Sequence, residues 1–386
     1  MTMKMGEPAD AGSPIYLDHN ATTPVLPEVF EAMRPWLTSE WGNPSSAHPY
    51  GRRAKAAVAR ARAQVATLIG AHEDEIIFTS CGSESDNLAV FGAAEAMGSK
   101  GVLLSTQMEH PAIEAALERL VERWPGWSLR RMRSDASGRV RVDDAALEGV
   151  CLASVILAHN ETGAVQPLAE LVRALRRVNP RVIVHSDGAQ AVGKIEVDVD
   201  ALGLDLLTIV GHKFGAPKGV AALYRRRGTP LASQLVGGGQ ERGQRAGTEA
   251  VAQVVALGAA CELARLGGEA ARVAIRAKRE ALWSALAAQI PGLHRTVPDE
   301  PALPNTLHVC VPGRDGRALL AAAPGVAAST GSACHADSDV VPGVLGQMGL
   351  SADVARGALR LSLGATTGDR DIEQAAKLLG RAYRLG

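Results

Sequence analysis

Short apolar runs alternate along the chain with longer stretches whose apolar residues recur at helical spacing. The runs fall at 75–79, 102–105, 152–158, 182–186, Leu206–Val210 and 220–224, and the helical stretches between them at 50–69, 83–97, 111–122 and 168–178. Strands that alternate with helices predict an α/β fold with a mostly parallel sheet. Beyond the apolar stretch 251–266 come a long polar-faced helix, strands at 306–311 and 358–363, and a last helix from Asp369. This second block predicts a smaller α/β domain, in keeping with a length of 386 residues, which exceeds one ordinary core.

In open α/β sheets, ligands sit beyond the carboxyl ends of the strands. Polar residues follow five of the predicted strands in turn: Cys81-Gly82-Ser83-Glu84, His110, His159-Asn160, Asp187 and Gly211-His212-Lys213. Together they make the pattern of a cofactor pocket, although each alone has a plainer reading. Lys213 is either a surface lysine or a Schiff-base lysine, whose amine must lose its proton near neutral pH in a desolvated or electropositive site. His212 beside it could contact a cofactor phosphate. Asp187 is either a helix N-cap or a carboxylate set against a pyridine nitrogen, with Gln190 in reach of a ring oxygen. The helix opening at Gly82-Ser83-Glu84-Ser85 offers a hydroxyl and free backbone N–H groups to a phosphate, and reads equally as ordinary capping. His110 is a helix-start histidine or an imidazole that stacks on a ring.

Bulk composition narrows the classes. Apolar residues make up 46% and charged residues 21%, a globular balance, and 41 Lys plus Arg against 41 Asp plus Glu leaves no overall field toward nucleic acid or an anionic membrane. The N-terminal stretch has no apolar core region or cleavage site of a signal peptide, and 251–266 is interrupted by Gln253, Glu262 and Arg265, so the expectation is a cytoplasmic protein without a membrane span. Five widely separated cysteines without a Cys-x-x-Cys pair argue against a disulfide framework or a zinc site. Cys151, Cys261 and Cys310 lie in apolar runs, whereas Cys334 sits in the small, polar stretch 329–339, which suits an accessible loop thiol. His335 is too near in sequence to share a metal ion with it easily.

Taken together, these segments resemble the cysteine desulfurases, the NifS/IscS-like group of the class V aminotransferase superfamily with the fold-type I architecture. The resemblance runs from Tyr16-Leu17-Asp18-His19-Asn20-Ala21-Thr22-Thr23-Pro24 and Gly42-Asn43-Pro44-Ser45-Ser46, through the sites above and Gly237-Gly238-Gly239-Gln240-Glu241-Arg242, to Arg360-Leu361-Ser362-Leu363-Gly364. It implies a large domain over 26–262 that binds pyridoxal 5'-phosphate on a mostly parallel seven-stranded sheet. A small domain made from 1–25 and 263–386 would carry a mobile catalytic loop at about 329–342. Lys213 would bind the cofactor covalently, Asp187 pair with its ring nitrogen, Gln190 with its ring oxygen, and His110 stack on the ring. Gly82, Ser83 and His212 would hold the phosphate, joined by Thr248 from a partner subunit, which implies a homodimer. Asn160 and Arg360 would grip the substrate carboxylate, for which the planar guanidinium is suited.

The activity so implied converts L-cysteine to L-alanine and leaves a persulfide on Cys334. The length of the loop after it, up to Pro342, implies transfer to a scaffold or carrier protein for iron–sulfur cluster assembly, tRNA thiolation or another thio-cofactor. Four positions depart from the family pattern: Val210 stands for a common Ser, Gly215 for an aromatic, Cys81 for a Gly, and Pro111 for a Lys or similar residue. Val-Gly-His-Lys-Phe at 210–214, the Gly-Gly-Gly-Gln-Glu-Arg turn at 237–242, Ala-Cys-His at 333–335 and the segment Asp353-Val354-Ala355-Arg356 also resemble selenocysteine lyases, although Pro111 stands where that group carries an acidic residue. An ordinary aminotransferase would not need Cys334. A silent binding partner would not need the full set of Lys213, Asp187, His110, Cys334 and Arg360.

Overall fold

Seven strands build the central sheet of the computed structural model, which describes residues 13–98, 100–297, 301–331, 341 and 343–385. Across the sheet the order is Ile76–Thr79, Ala221–Arg225, Leu206–Val210, Ile183–Asp187, Val150–Ser154, Lys100–Thr106 and Gly126–Met132. Only Ala221–Arg225 runs antiparallel to its neighbours. The inner strands read as unbroken apolar runs because helices cover both faces; all five residues of Leu206–Val210 are buried. Gly126–Met132 escaped the sequence pattern for a physical reason. As an edge strand it buries Trp127 and Met132 but leaves Ser128 exposed and Arg130 and Arg131 part-exposed, so it reads as polar.

Helix Val251–Ala287 breaks at Gly268, where φ is +48°. Before the break its small residues lie against helix Pro49–Leu68. A Cβ on Gly258 would come within 2.6 Å of the Ala61 Cα, so the two backbones touch there. The apolar stretch noted in the sequence is therefore an internal packing face, with Val254, Leu257 and Cys261 buried in the main core.

A second core gathers Leu17, Leu282, Leu286, Leu307, Leu361 and Leu379. It rests on a three-stranded antiparallel sheet ordered Ala358–Ser362, Thr306–Cys310, His294–Arg295. The N-terminal strand Ile15–Tyr16 pairs in parallel with Val326–Ala327 and delivers Leu17 to this core. The chain then turns back toward the carboxyl edge of the large sheet, and this turn positions the site.

Candidate active site

Lys213 closes a single 3-10 turn, Gly211–Lys213, that follows the buried strand Leu206–Val210. Its Nζ donates to the backbone carbonyls of Asn20 at 3.0 Å and Ala21 at 2.9 Å. Burial and the nearby Arg360 guanidinium lower its pKa to about 8, against the opposing pull of Asp187 and Asp18. It is half-buried beside Arg360, Asp187 and Asp18, a setting unlike that of an ordinary surface lysine.

Asp187 ends strand Ile183–Asp187 and is buried, with one oxygen accepting from Ala189 N–H at 2.9 Å. Burial raises its pKa, while the same N–H, His110 and Lys213 act to lower it. His110 caps the helix Pro111–Arg123, its Nδ1 accepting from Ala112 N–H at 3.1 Å, and Pro111 occupies the first helical position, where its missing N–H costs nothing. Burial and Lys213 lower the His110 pKa, and Asp187 raises it. The three groups thus share one electrostatic neighbourhood.

Helix Gly82–Met97 starts just after strand Ile76–Thr79, and no side chain caps it at Cys81. A Cβ on Gly82 would lie 2.8 Å from Val210 Cγ2, so the valine that departs from the family pattern packs directly against this helix start. Glu84 in the first turn is held by Arg245 at 2.7 Å. His212 bonds through Nδ1 to Thr22 Oγ1 at 3.1 Å, and burial brings its pKa to about 4. Gly215, at φ +100°, faces Leu26, leaving no room for a larger residue in its place.

Arg360, on strand Ala358–Ser362, donates to Asp18 Oδ1 at 2.7 Å and to the Asn160 carbonyl at 3.0 Å. Its Nε is buried without a partner among the described residues. Gln190 Nε2 donates to the Asn20 carbonyl at 2.9 Å, the same oxygen that receives Lys213. The structure therefore brings Lys213, Gln190, His212, Asn160 and Arg360 around the turn 18–23, with Asp187 and His110 in the field of Lys213 and the helix start at Gly82 and Ser83 packed on Val210. It does not add Thr248, which is exposed and lines a cleft with Ser80, Gly219, Glu241 and Arg245 that Lys213 and Asp187 do not line. Cys334 and residues 332–340 lie outside the described residues.

Several participants had no role assigned to them from the sequence. Asn20 is the hub: besides accepting from Lys213 and Gln190, it donates to Thr306 Oγ1 at 2.8 Å and to the Asn160 carbonyl at 3.2 Å. Lys194 reaches Asn20 and Gln190. Near Asp187 lie two further buried acids. Burial raises Glu109 to about 8, so it is largely protonated at neutral pH, and burial with the nearby Asp187 lifts Asp86 well above its ordinary value. His185, bonded to Ser154 and Thr208, is lowered by burial to about 3 and is neutral.

These features fit an anionic, ring-bearing cofactor. Asp187 is buried with a backbone N–H as its hydrogen-bond donor among the described residues, a helix start is free of side-chain caps, and Lys213 offers an amine of lowered pKa. Fold and sequence agree on the class. The family model for class V aminotransferases matches residues 15–375, and the chain belongs to that family. It is 41% identical over 373 residues to a cysteine desulfurase of Trichormus azollae, covering 95% of this chain and 92% of that one. It is 39% identical to a selenocysteine lyase of Bos taurus, covering 95% and 93%. A solved NifS-like protein superposes with a TM-score of 0.89 at 32% identity, over 97% of this chain and all of the other.

Proposed function

We propose that this chain is a pyridoxal-phosphate-dependent cysteine desulfurase that converts L-cysteine to L-alanine and collects the sulfur on Cys334. The observation that carries the reading is the amine of Lys213, held on two backbone carbonyls with a pKa of about 8 and sharing its field with the buried Asp187. Lys213, Asp187, Gln190 and His110 would hold the cofactor ring, and Gly82, Ser83 and His212 its phosphate. Thr248 of a second copy would complete the phosphate site in a homodimer. Residues 26–262 would form the cofactor domain, and 1–25 with 263–386 the smaller one. When bound, the cofactor supplies an electron-poor ring that takes up negative charge as bonds to the substrate α-carbon break.

The residues divide the remaining work. Arg360, fixed on Asp18 and the Asn160 carbonyl, presents its other N–H groups to the substrate carboxylate. Lys213, neutral in about half of molecules near pH 8, removes the α-proton and later returns it. Asp187 supplies the anion against the ring nitrogen. Cys334 as thiolate attacks the substrate sulfur: an S–S bond forms, the C–S bond breaks, and its electron pair stays with the carbon fragment, which is protonated and leaves as alanine. The sulfur remains as a persulfide for an acceptor thiol, on a scaffold or carrier protein of a cytoplasmic assembly pathway.

The test measures alanine released from L-cysteine and, separately, from L-selenocysteine, with pyridoxal phosphate and a thiol, for wild type and Cys334→Ala. Turnover of cysteine that vanishes in the variant is expected. Turnover of selenocysteine alone would make the protein a lyase, as in the bovine relative. Undiminished desulfuration by Cys334→Ala would remove the persulfide step.

A further inference from the structure

A second amine stands behind the first. Lys194 Nζ donates to Gln190 Oε1 at 2.6 Å and to Asn20 Oδ1 at 3.0 Å. An ammonium has donors and no acceptor, so the amide atom it meets on each neighbour must be oxygen. The far ends of both amides demand the same orientation independently. Gln190 Nε2 meets the Asn20 backbone carbonyl at 2.9 Å, and Asn20 Nδ2 meets the Asn160 carbonyl at 3.2 Å; a carbonyl can only accept. Asn305 Nδ2 adds a further donor to Asn20 Oδ1 at 3.1 Å.

An amide nitrogen carries two hydrogens. One on Gln190 is spent on the Asn20 carbonyl, which also receives Lys213 at 3.0 Å; the second has no partner among the described residues. We infer that Lys194 is a positioning residue, which locks Gln190 so that it offers an N–H beside Lys213 to an electron-rich oxygen of the bound ligand. Under the function proposed above, on which this inference rests, that oxygen is the ring hydroxyl oxygen of pyridoxal phosphate. Without Lys194 only the Asn20 carbonyl holds the amide, so it turns over more readily, and in that orientation its own carbonyl oxygen opposes that oxygen, replacing attraction by repulsion. Burial, then Lys213 and Arg360, push the Lys194 pKa well below its ordinary value; the two backbone carbonyls orient the amides whatever the charge on this amine.

The experiment titrates apoprotein with pyridoxal phosphate, following visible absorbance for the apparent Kd and for the pH midpoint of the band. It compares wild type, Lys194→Met, Gln190→Met, the double variant and Lys194→Arg. Lys194→Met should weaken binding about tenfold, the worth of a hydrogen bond to a charged group, and move the band's pH midpoint. Lys194→Arg, which keeps donors at this point, should recover most of both. In the Gln190→Met background the Lys194 substitution should add nothing. The inference is overturned if Lys194→Met changes neither quantity, or if its effect persists in full without Gln190. Should Lys194→Met fail to fold, Lys194→Gln, which can face Gln190 with either amide atom, carries the same expected and refuting outcomes. A wild-type protein that takes up no pyridoxal phosphate overturns the functional reading and the inference with it, whereas normal uptake with no effect of Lys194→Met overturns the inference alone.

Discussion

The contact between Gly82 and Val210 gives a prediction that can be worked through. A Cβ at position 82 would sit 2.8 Å from Val210 Cγ2, where ordinary contact is 3.4–4 Å. Val210 is 4% exposed on a strand locked between two neighbours, so it has little room to retreat. Overpacking of this kind costs ~1–3 kcal/mol, against a gain of up to ~1 kcal/mol for replacing Gly by Ala in a helix. Gly82→Ala should therefore lose ~1–2 kcal/mol net. Val210→Ala alone removes two buried methyl groups at roughly 0.8 kcal/mol each, with a cavity cost on top, so ~2 kcal/mol. In the double variant the clash is gone and the new methyl enters the space vacated. The loss in the double variant should fall short of the sum of the two single losses by at least ~1 kcal/mol. The assay is urea denaturation of the four proteins with the midpoint and slope fitted for each. Additivity within ~0.5 kcal/mol would refute the claim that these two residues compete for one volume.

Three further outcomes follow from the same geometry. Arg62 forks onto Glu241 with two contacts of 2.7 Å in a nearly closed setting, and Glu241 also accepts from Phe78 N–H. Arg62→Met should cost ~3–5 kcal/mol by thermal or chemical denaturation, and Arg62→Met with Glu241→Gln should recover most of it; equal losses in both would show that the charge is not the cause. Glu109 has its pKa raised by burial from 4.5 to about 8, so its contribution to stability is present at low pH and is lost as pH rises from about 4.5 to about 8. Relative to wild type, Glu109→Gln should gain stability across that window in pH-dependent denaturation, and parallel curves would contradict the assignment. The rate at which apoprotein captures pyridoxal phosphate should rise with pH through about 8, as Lys213 loses its proton. Because Arg360 lowers that pKa, Arg360→Met should move the midpoint upward, and a midpoint that stays or falls would disprove the coupling.

What the sequence made legible was mostly local. The buried strands were visible as apolar runs, and the residues that end them (Lys213, Asp187, His110) lie where an α/β sheet places its ligands. Gly126–Met132 was missed because an edge strand keeps its polar residues, and the run at 152–158 leaves the ladder at Ser154, turning toward Asn160. Asn20 and Lys194 could not be assigned from spacing. Their partners are 174 residues apart in one case and 286 in another, and an asparagine in a turn or a lysine after a glycine carries no mark of such contacts. Among the departures, Pro111 and Gly215 proved to be accommodated by helix-start geometry and a left-handed turn against Leu26.

The turn 18–23 explains why the site needs the whole fold. Asn20 N–H is held by Ser362 Oγ at 2.9 Å, its side chain by Thr306 and Asn305, and its carbonyl faces Lys213 and Gln190. Thr23 N–H and Thr22 Oγ1 both bind His212, one residue from the lysine. The two acceptors of the Lys213 amine are thus backbone carbonyls whose position is set by the small core at one end and by the sheet edge at the other. A segment anchored at both ends loses little further entropy when it orders around a ligand, so it can hold the amine without a side chain of its own taking part. Arg360, on the same strand as Ser362, grips Asp18 at the head of this turn. Any shift between the two cores must then move Arg360 and the Lys213 acceptors together, which couples the Arg360 guanidinium to the Lys213 amine through one short stretch of chain.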